Sequence, residues 1–159
     1  MAKGIVIYHS RSGNTQLMAE TIANAMTEAG LPTECKPVAE VTPDDMFNAD
    51  AVVIGSPTYY GQMAAPIKQL IDESVGKHGK LDRKVGGAFT SSVNVGGGNE
   101  TTIRGILDAL LIHGFIIEGD PQGDHYGPVS LGKPDDRVIK QCKRKGKRIA
   151  ELTLKLFGK

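Results

Sequence analysis

The residues able to do chemistry fall in three short stretches, each after an apolar run. The first, Ser10-Arg11-Ser12-Gly13-Asn14-Thr15, puts three hydroxyls, a glycine and an asparagine into one turn ahead of a helical pattern. Backbone N–H groups that open a helix have no partner inside it and converge on an anion, while Ser and Thr hydroxyls add donors without bulk. A plain Ser or Asn helix cap is the alternative, but a cap needs one such residue rather than a run of them. No Gly-x-x-x-x-Gly-Lys-Ser/Thr occurs, and no Gly-x-Gly-x-x-Gly follows the first apolar run, which counts against ATP and dinucleotides in this turn. A single phosphate, held by hydroxyls and amides with little cationic help, fits it better.

The second stretch, Pro57-Thr58-Tyr59-Tyr60-Gly61-Gln62, offers a turn, free backbone groups and two aromatic rings. A flat ring system gains from packing on an aromatic side chain and needs backbone partners for its polar edge. Two tyrosines that merely cover a strand end would look the same. The third stretch, Ser91-Ser92-Val93-Asn94 followed by Gly96-Gly97-Gly98, allows close backbone approach, and taken alone it is also what a flexible connector looks like. One phosphate beside a flat ring is the outline of FMN.

The run from Val6 to Ala19 resembles the phosphate-binding signature of flavodoxins throughout its length. Gly55 to Met63 and Ser91 to Glu100 are similar to the corresponding loops of WrbA-type NAD(P)H:quinone oxidoreductases, and the similarity continues through His113-Gly114, the Tyr126-Gly127 turn and the last helix. The resemblance implies a flavodoxin-like three-layer sandwich that binds FMN. It carries Ser91, Ser92, Asn94 and Gly96 to Gly98 over as flavin contacts, and His113 as a proton donor or ring contact. On the residues alone, His113 equally fits a cation at a helix C-terminus. His125 and Tyr126 are placed to cover the flavin edge of their own or a neighbouring subunit.

These loops need rigid elements behind them. Apolar β-branched runs alternate with stretches of helical period, the pattern of a parallel sheet covered on both faces. The predicted strands are Gly4 to Tyr8, Thr33 to Lys36, Ala51 to Gly55, Lys84 to Ser91 and Phe115 to Glu118. Predicted helices begin near Asn14, Pro43, Pro66, Asn99 and Pro134. Leu111 joins the apolar stripe of the fourth, and Val138, Cys142, Ile149, Leu152 and Leu156 face inward on the last. Gly119 to Gly132 has no period and reads as a long loop. Right-handed crossovers make the order 2-1-3-4-5 the simplest, with ligands beyond the carboxyl ends of strands one, three and four.

Length and composition set the outer bounds. At 159 residues, with 40% hydrophobic and 23% charged residues, the chain is expected to be one domain with a real core, and its apolar N-terminal run is too short for a leader or a membrane span. A cytoplasmic protein is the expectation. Cys35 and Cys142 have neither the number nor the spacing of a disulfide framework or a metal site. A net charge of +1 gives no field for nucleic acid, although Lys140 to Arg148 is locally basic. Cys142 and Arg148 match the Cys-x5-Arg spacing of phosphatases but lie in a helical pattern, where no phosphate loop forms.

Two functions remain, both using FMN. One is an enzyme that takes electrons from NAD(P)H and passes them to a quinone-like small molecule. The other is a carrier that shuttles single electrons between redox partner proteins. The resemblance implies that carriers are strongly acidic, so the charge of +1 favours the enzyme. It also implies that WrbA-type proteins carry an insertion before the third strand, most of which this chain lacks, which leaves assembly into a homo-oligomer open. A phospho-acceptor on the same topology is excluded because Ile54-Gly55-Ser56 ends the third strand without an aspartate.

Overall fold

The computed structural model describes residues 1–158. The strands are β1 (Gly4–Tyr8), β2 (Thr33–Pro37), β3 (Ala51–Pro57), β4 (Val85–Ser92), β5 (Ile116–Ile117) and β6 (Val129–Leu131). The helices are α1 (Asn14–Glu28), α2 (Pro43–Asn48), α3 (Ala65–Glu73), α4 (Asn99–Ile112) and α5 (Asp136–Phe157). All strand pairs are parallel in the order β2-β1-β3-β4-β5, with β6 also on β4. The predicted sheet order is the one observed, and the fold is flavodoxin-like.

Strand alternation divides the core in two. Val6, Val53, Val85 and Phe89 pack against α1 and α5 on one face. Ile5, Ile7, Val52, Ile54 and Ala88 pack against α3 and α4 on the other. Strands buried on both sides read as continuous apolar runs, which is why β1 and β3 are plain in the sequence.

The fifth sheet position differs from the expectation. Only Ile116 and Ile117 pair with β4, at Val85 and Gly86; the chain then leaves the sheet, and Val129–Leu131 returns to pair with Thr90–Ser92. The end of the predicted loop is therefore a strand. Val129-Ser130-Leu131 is too short to show a period, and it becomes a strand because the departing chain leaves the edge of β4 open. Leu111 and Leu156 are corrected as well: at 54% and 49% exposure they lie outside the core. On α5 the buried line runs Val138, Cys142, Ile149, Thr153, and Leu156 falls off it.

The excursion between β5 and β6 is tied down by the basic run of α5. Arg144 grips Asp120 with two bonds, Nε to Oδ2 at 2.6 Å and an Nη2 contact to Oδ1 at 2.8 Å. Arg148 donates to the Gly119 carbonyl at 2.9 Å and pairs with Glu118 at 3.0 Å. Lys145 is buried and donates to the Glu118 carbonyl at 3.2 Å. Farther along, Arg137 joins Asp124 to the Val129 carbonyl.

The Arg144 hydrogen bonds hold the Asp120 carboxyl down at about 2. Its unfolded value is about 3.9, so its contribution to stability is complete above that pH and is lost as the pH falls through the folded value. The stability difference between the native chain and Asp120→Asn, read from urea unfolding, is expected to be constant above about pH 5, to shrink as the pH falls, and to vanish only below about pH 2. A difference that persists unchanged in acid would show that the pair does not anchor the loop.

Candidate functional site

The ends of β1, β3 and β4 meet at the switch point of the sheet, where neighbouring connections run to opposite faces and leave a crevice. Gly13 (φ 92°) precedes α1 and makes no side-chain cap. Gly98 (φ 96°) does the same for α4. In contrast, Asp135 caps α5 by accepting from Val138 N–H, and Thr42 and Asp45 form a capping box on α2. The first helical bonds are Leu17 N–H to Gly13 O and Thr102 N–H to Gly98 O, both 3.0 Å. The N–H groups of Asn14, Thr15 and Gln16, and of Asn99, Glu100 and Thr101, therefore begin their helices without helical partners. Ser10 shapes the first loop, its Oγ accepting from Gly13 N–H at 3.1 Å. A simple Ser or Asn cap on α1 is not what forms.

Hydroxyls join the three strand ends. Thr15 Oγ1 and Ser91 Oγ lie 2.8 Å apart, and Thr58 N–H donates to the Ser91 carbonyl at 2.8 Å. Thr58 Oγ1 meets Thr90 Oγ1 at 2.7 Å, Thr90 Oγ1 donates to the Ser56 carbonyl at 2.7 Å, and Ser56 Oγ accepts from Ala64 N–H at 2.8 Å. Beyond β3, Tyr59 and Gln62 exchange backbone bonds of 2.9 and 3.0 Å around a tip at Tyr60 (φ 52°) and Gly61 (φ 72°). Two successive left-handed residues make this a type I′ hairpin, in which Gly suits one position and Tyr is held by the closed ladder. Thr101 Oγ1 donates to the Gly61 carbonyl at 2.7 Å, locking the hairpin to the start of α4.

A cleft of about 230 Å³ opens between these walls, lined by Arg11, Ser12 and Asn14, by Pro57, Thr58 and Tyr59, and by Ser91 and Ser92. Val93 and Gly132 complete it. Tyr60 stands fully exposed at the hairpin tip, with Gly61 and Gln62 beside it. The Asn94 carbonyl accepts from Gly97 N–H at 3.2 Å, and so makes the turn that leads to Gly98. Gly96 and Tyr126 line a second cleft on the other side of the same loop.

His113 is the residue the structure does not bring in. It follows α4 at the far end, and neighbouring Ile116 pairs with Val85, the first residue of β4. The cleft begins at Ser91, six positions along that strand. At the strand rise that is about 20 Å away. Within its own chain His113 is therefore neither a ring contact nor a proton donor to this cleft. Its Nε2 lies 2.7 Å from Ser74 Oγ, its ring is 5.8 Å from that of His78, and burial, then His78, lowers its pKa. A neutral imidazole packed this way does not serve as a helix-end cation either.

Thr90, Ser56, Thr101 and Gly132 are further structural parts of the site. Thr90 and Ser56 carry a signal, since each is a buried polar residue inside a mostly apolar strand and a buried hydroxyl must find a partner. Thr101 and Gly132 carry none without the fold.

A crevice at this switch point, walled by an uncapped helix terminus, a hydroxylated strand end and an aromatic hairpin, defines a class of doubly wound mononucleotide-binding domains. Residues 5–106 match the family model described as a flavodoxin domain, and the chain belongs to that family. A flavodoxin of Aquifex aeolicus is 39% identical over 95% of this chain and 86% of its own length. An NAD(P)H dehydrogenase (quinone) of Archaeoglobus fulgidus is 33% identical over 98% of this chain and all of its own, in an alignment of 190 positions. Among solved structures, an archaeal flavodoxin superposes with a TM-score of 0.81 at 31% identity, covering 95% and 98% of the two chains. The WrbA-like protein of Agrobacterium tumefaciens gives 0.83 at 22% identity, over 98% and 99%, a likeness of fold. The protein is an FMN-binding, flavodoxin-like redox protein. Free N–H groups over a cleft with an aromatic wall fit that cofactor.

Gly98 and Gly96 both have positive φ but differ in their surroundings. A Cβ on Gly98 would come 2.3 Å from Gly61 Cα, whereas one on Gly96 would meet nothing within 4 Å. Gly98→Ala should therefore weaken FMN binding by about tenfold or more by pushing the hairpin off α4, and Gly96→Ala should show only left-handed strain of about 1 kcal/mol. Thr15→Val should lose roughly 1–3 kcal/mol of folding stability in urea unfolding, because Ser91 Oγ is left buried and unpaired. Fluorescence titration of the apoprotein with FMN measures the two glycine variants, and equal affinities would exclude the hairpin contact.

Proposed function

We propose that this chain is an oxidoreductase that passes electrons from NAD(P)H through FMN to a quinone-like acceptor. The observation that carries the reading is the full-length likeness, 33% identical, to a relative named NAD(P)H dehydrogenase (quinone). The net charge of +1 agrees with it, because a small diffusible substrate needs no docking field.

In this reading the uncapped start of α1, with Ser12, Asn14 and Thr15, holds the FMN phosphate. Tyr59 covers one face of the ring, and Ser91, Ser92 and the loop from Asn94 to Gly98 border its polar edge. Bound there, FMN supplies hydride acceptance and donation. The chain's own task is orientation: the hydroxyl chain from Thr15 to Ser56 fixes the walls relative to one another, and Thr101 keeps the hairpin from swinging away.

A second reading, a carrier between protein partners, is favoured by the 39% identity to the Aquifex flavodoxin and by the alignment of 190 positions, which gives the quinone-reducing relative segments that this 159-residue chain lacks. An anaerobic absorbance titration separates the two. NADH or NADPH is expected to bleach the bound flavin within seconds, and a benzoquinone to restore its colour. A flavin that stays oxidised with both nucleotides, yet is bleached by a partner reductase, assigns the chain to the carriers.

A further inference from the structure

The chain at β6 reaches β4 on one side only: the Pro128 carbonyl accepts from Thr90 N–H at 3.0 Å, and Gly132 N–H donates to the Ser92 carbonyl at 2.8 Å. Among the described residues no strand lies on its other side. The two backbone groups of Val129 that point there are nevertheless both taken. Asp124 Oδ2 accepts from Val129 N–H at 2.9 Å, and Arg137 Nη2 donates to the Val129 carbonyl at 2.8 Å. Asp124 Oδ1 and Arg137 Nη1, 2.9 Å apart, join the two side chains to each other. A carboxylate that accepts, beside a guanidinium that donates, offers β6 what the backbone of a neighbouring strand would offer.

Neither side chain lines the flavin cleft, yet their place in the chain ties them to it. Asp124 and Arg137 stand thirteen positions apart and fasten together the two ends of the segment that contains β6 and Gly132. Gly132 lines the flavin cleft with Ser92 and Val93. Ser130, fully buried, donates from Oγ to the Gly132 carbonyl at 2.8 Å and carries the order of β6 into that wall. A strand of three residues has few ladder bonds of its own, so the bonds on its outer edge decide how firmly the wall stands. As a source of stability alone the pair would be weak, because the Arg137 side chain is half exposed and exposed ion pairs contribute little. What it supplies is direction: a planar fork and a carboxylate that fit one placement of Val129.

We propose that Asp124 and Arg137 are positioning residues for FMN: as a surrogate strand on the outer edge of β6, they hold the Gly132 wall of the flavin cleft against Ser92. The inference rests on FMN occupying that cleft and is independent of the electron donor and acceptor.

The test is dilution of the FMN-loaded protein, with released flavin read by its fluorescence, in the native chain, Asp124→Asn, Arg137→Gln and the double variant; urea unfolding gives the folded fraction. Each single variant is expected to hold FMN about tenfold more weakly, and the double variant no more weakly than the weaker single, because both residues act on one wall. The Gly132 N–H, bonded to Ser92, should also exchange with solvent about tenfold faster in both single variants. The two residues carry opposite charges, so an effect through the electrostatic field alone would shift the affinity in opposite directions, and that outcome overturns the proposal. A pair that only adds stability would lower the urea midpoint and leave the affinity of the folded fraction unchanged, which overturns it as well. If Asp124→Asn does not fold, Arg137→Gln decides: weaker binding together with faster Gly132 exchange supports the role, and either one unchanged overturns it. Gly98→Ala separates this role from the assignment of the cleft. Weaker binding in Gly98→Ala with unaltered binding in the pair variants removes the positioning role and keeps FMN in the cleft, whereas unaltered binding in all of them removes both.

Discussion

The chain of hydroxyls across the carboxyl ends of β1, β3 and β4 is the constraint on which the rest of the site depends. A parallel sheet fixes the spacing of its strands but not the loops that leave it. Thr15, Ser91, Thr58, Thr90 and Ser56 extend the order of the sheet one layer farther, so that the first turn of α1, the aromatic hairpin and the end of β4 share one set of bonds. Each buried hydroxyl in the set has a partner. Removing one strands another at about 1–3 kcal/mol, so the network holds its geometry more firmly than independent surface contacts would.

The helix starts differ in how they are satisfied, α3 having no side-chain cap but a proline in its first turn. Thr42 and Asp135 satisfy the starts of α2 and α5 from their own sequence. α1 and α4 begin instead at left-handed glycines, which turn the chain sharply and contribute no capping oxygen. A self-capped helix is locally more stable, so two uncapped termini on the two walls of one loop system are a cost that a bound anion or carbonyl offsets. Both clefts lie at these termini, separated by the loop from Val93 to Gly98.

The sheet and the first wall were legible in the sequence for physical reasons. Strands covered on both faces are apolar without interruption, as at Ala51–Ile54, and a phosphate turn concentrates hydroxyls next to a glycine. β6 was not legible, because Val129–Leu131 is a strand only by virtue of the edge that β4 leaves open. The Thr101 clamp joins residues forty positions apart, and nothing local announces it. Topology alone places His113 away from the cleft of its own chain. α4 starts at the ligand end and runs 14 residues, about 21 Å, away from it.

The basic run of α5 bears on where electrons go. Electrostatic steering of a protein partner needs a surface field of one sign. Arg144 and Arg148 are spent on Asp120, Glu118 and the Gly119 carbonyl, and Lys145 is buried, so half of the apparent charge of the run is internal scaffolding. Lys140, Lys143 and Lys147 remain at the surface, with Glu151 lying 3.7 Å from Lys147. What is left is a short mixed stripe on a chain of net charge +1, too weak a field to select a partner at a distance once salt screens it over about 8–10 Å. In the enzyme reading proposed above, selectivity resides in the shape and hydrogen bonding of the clefts.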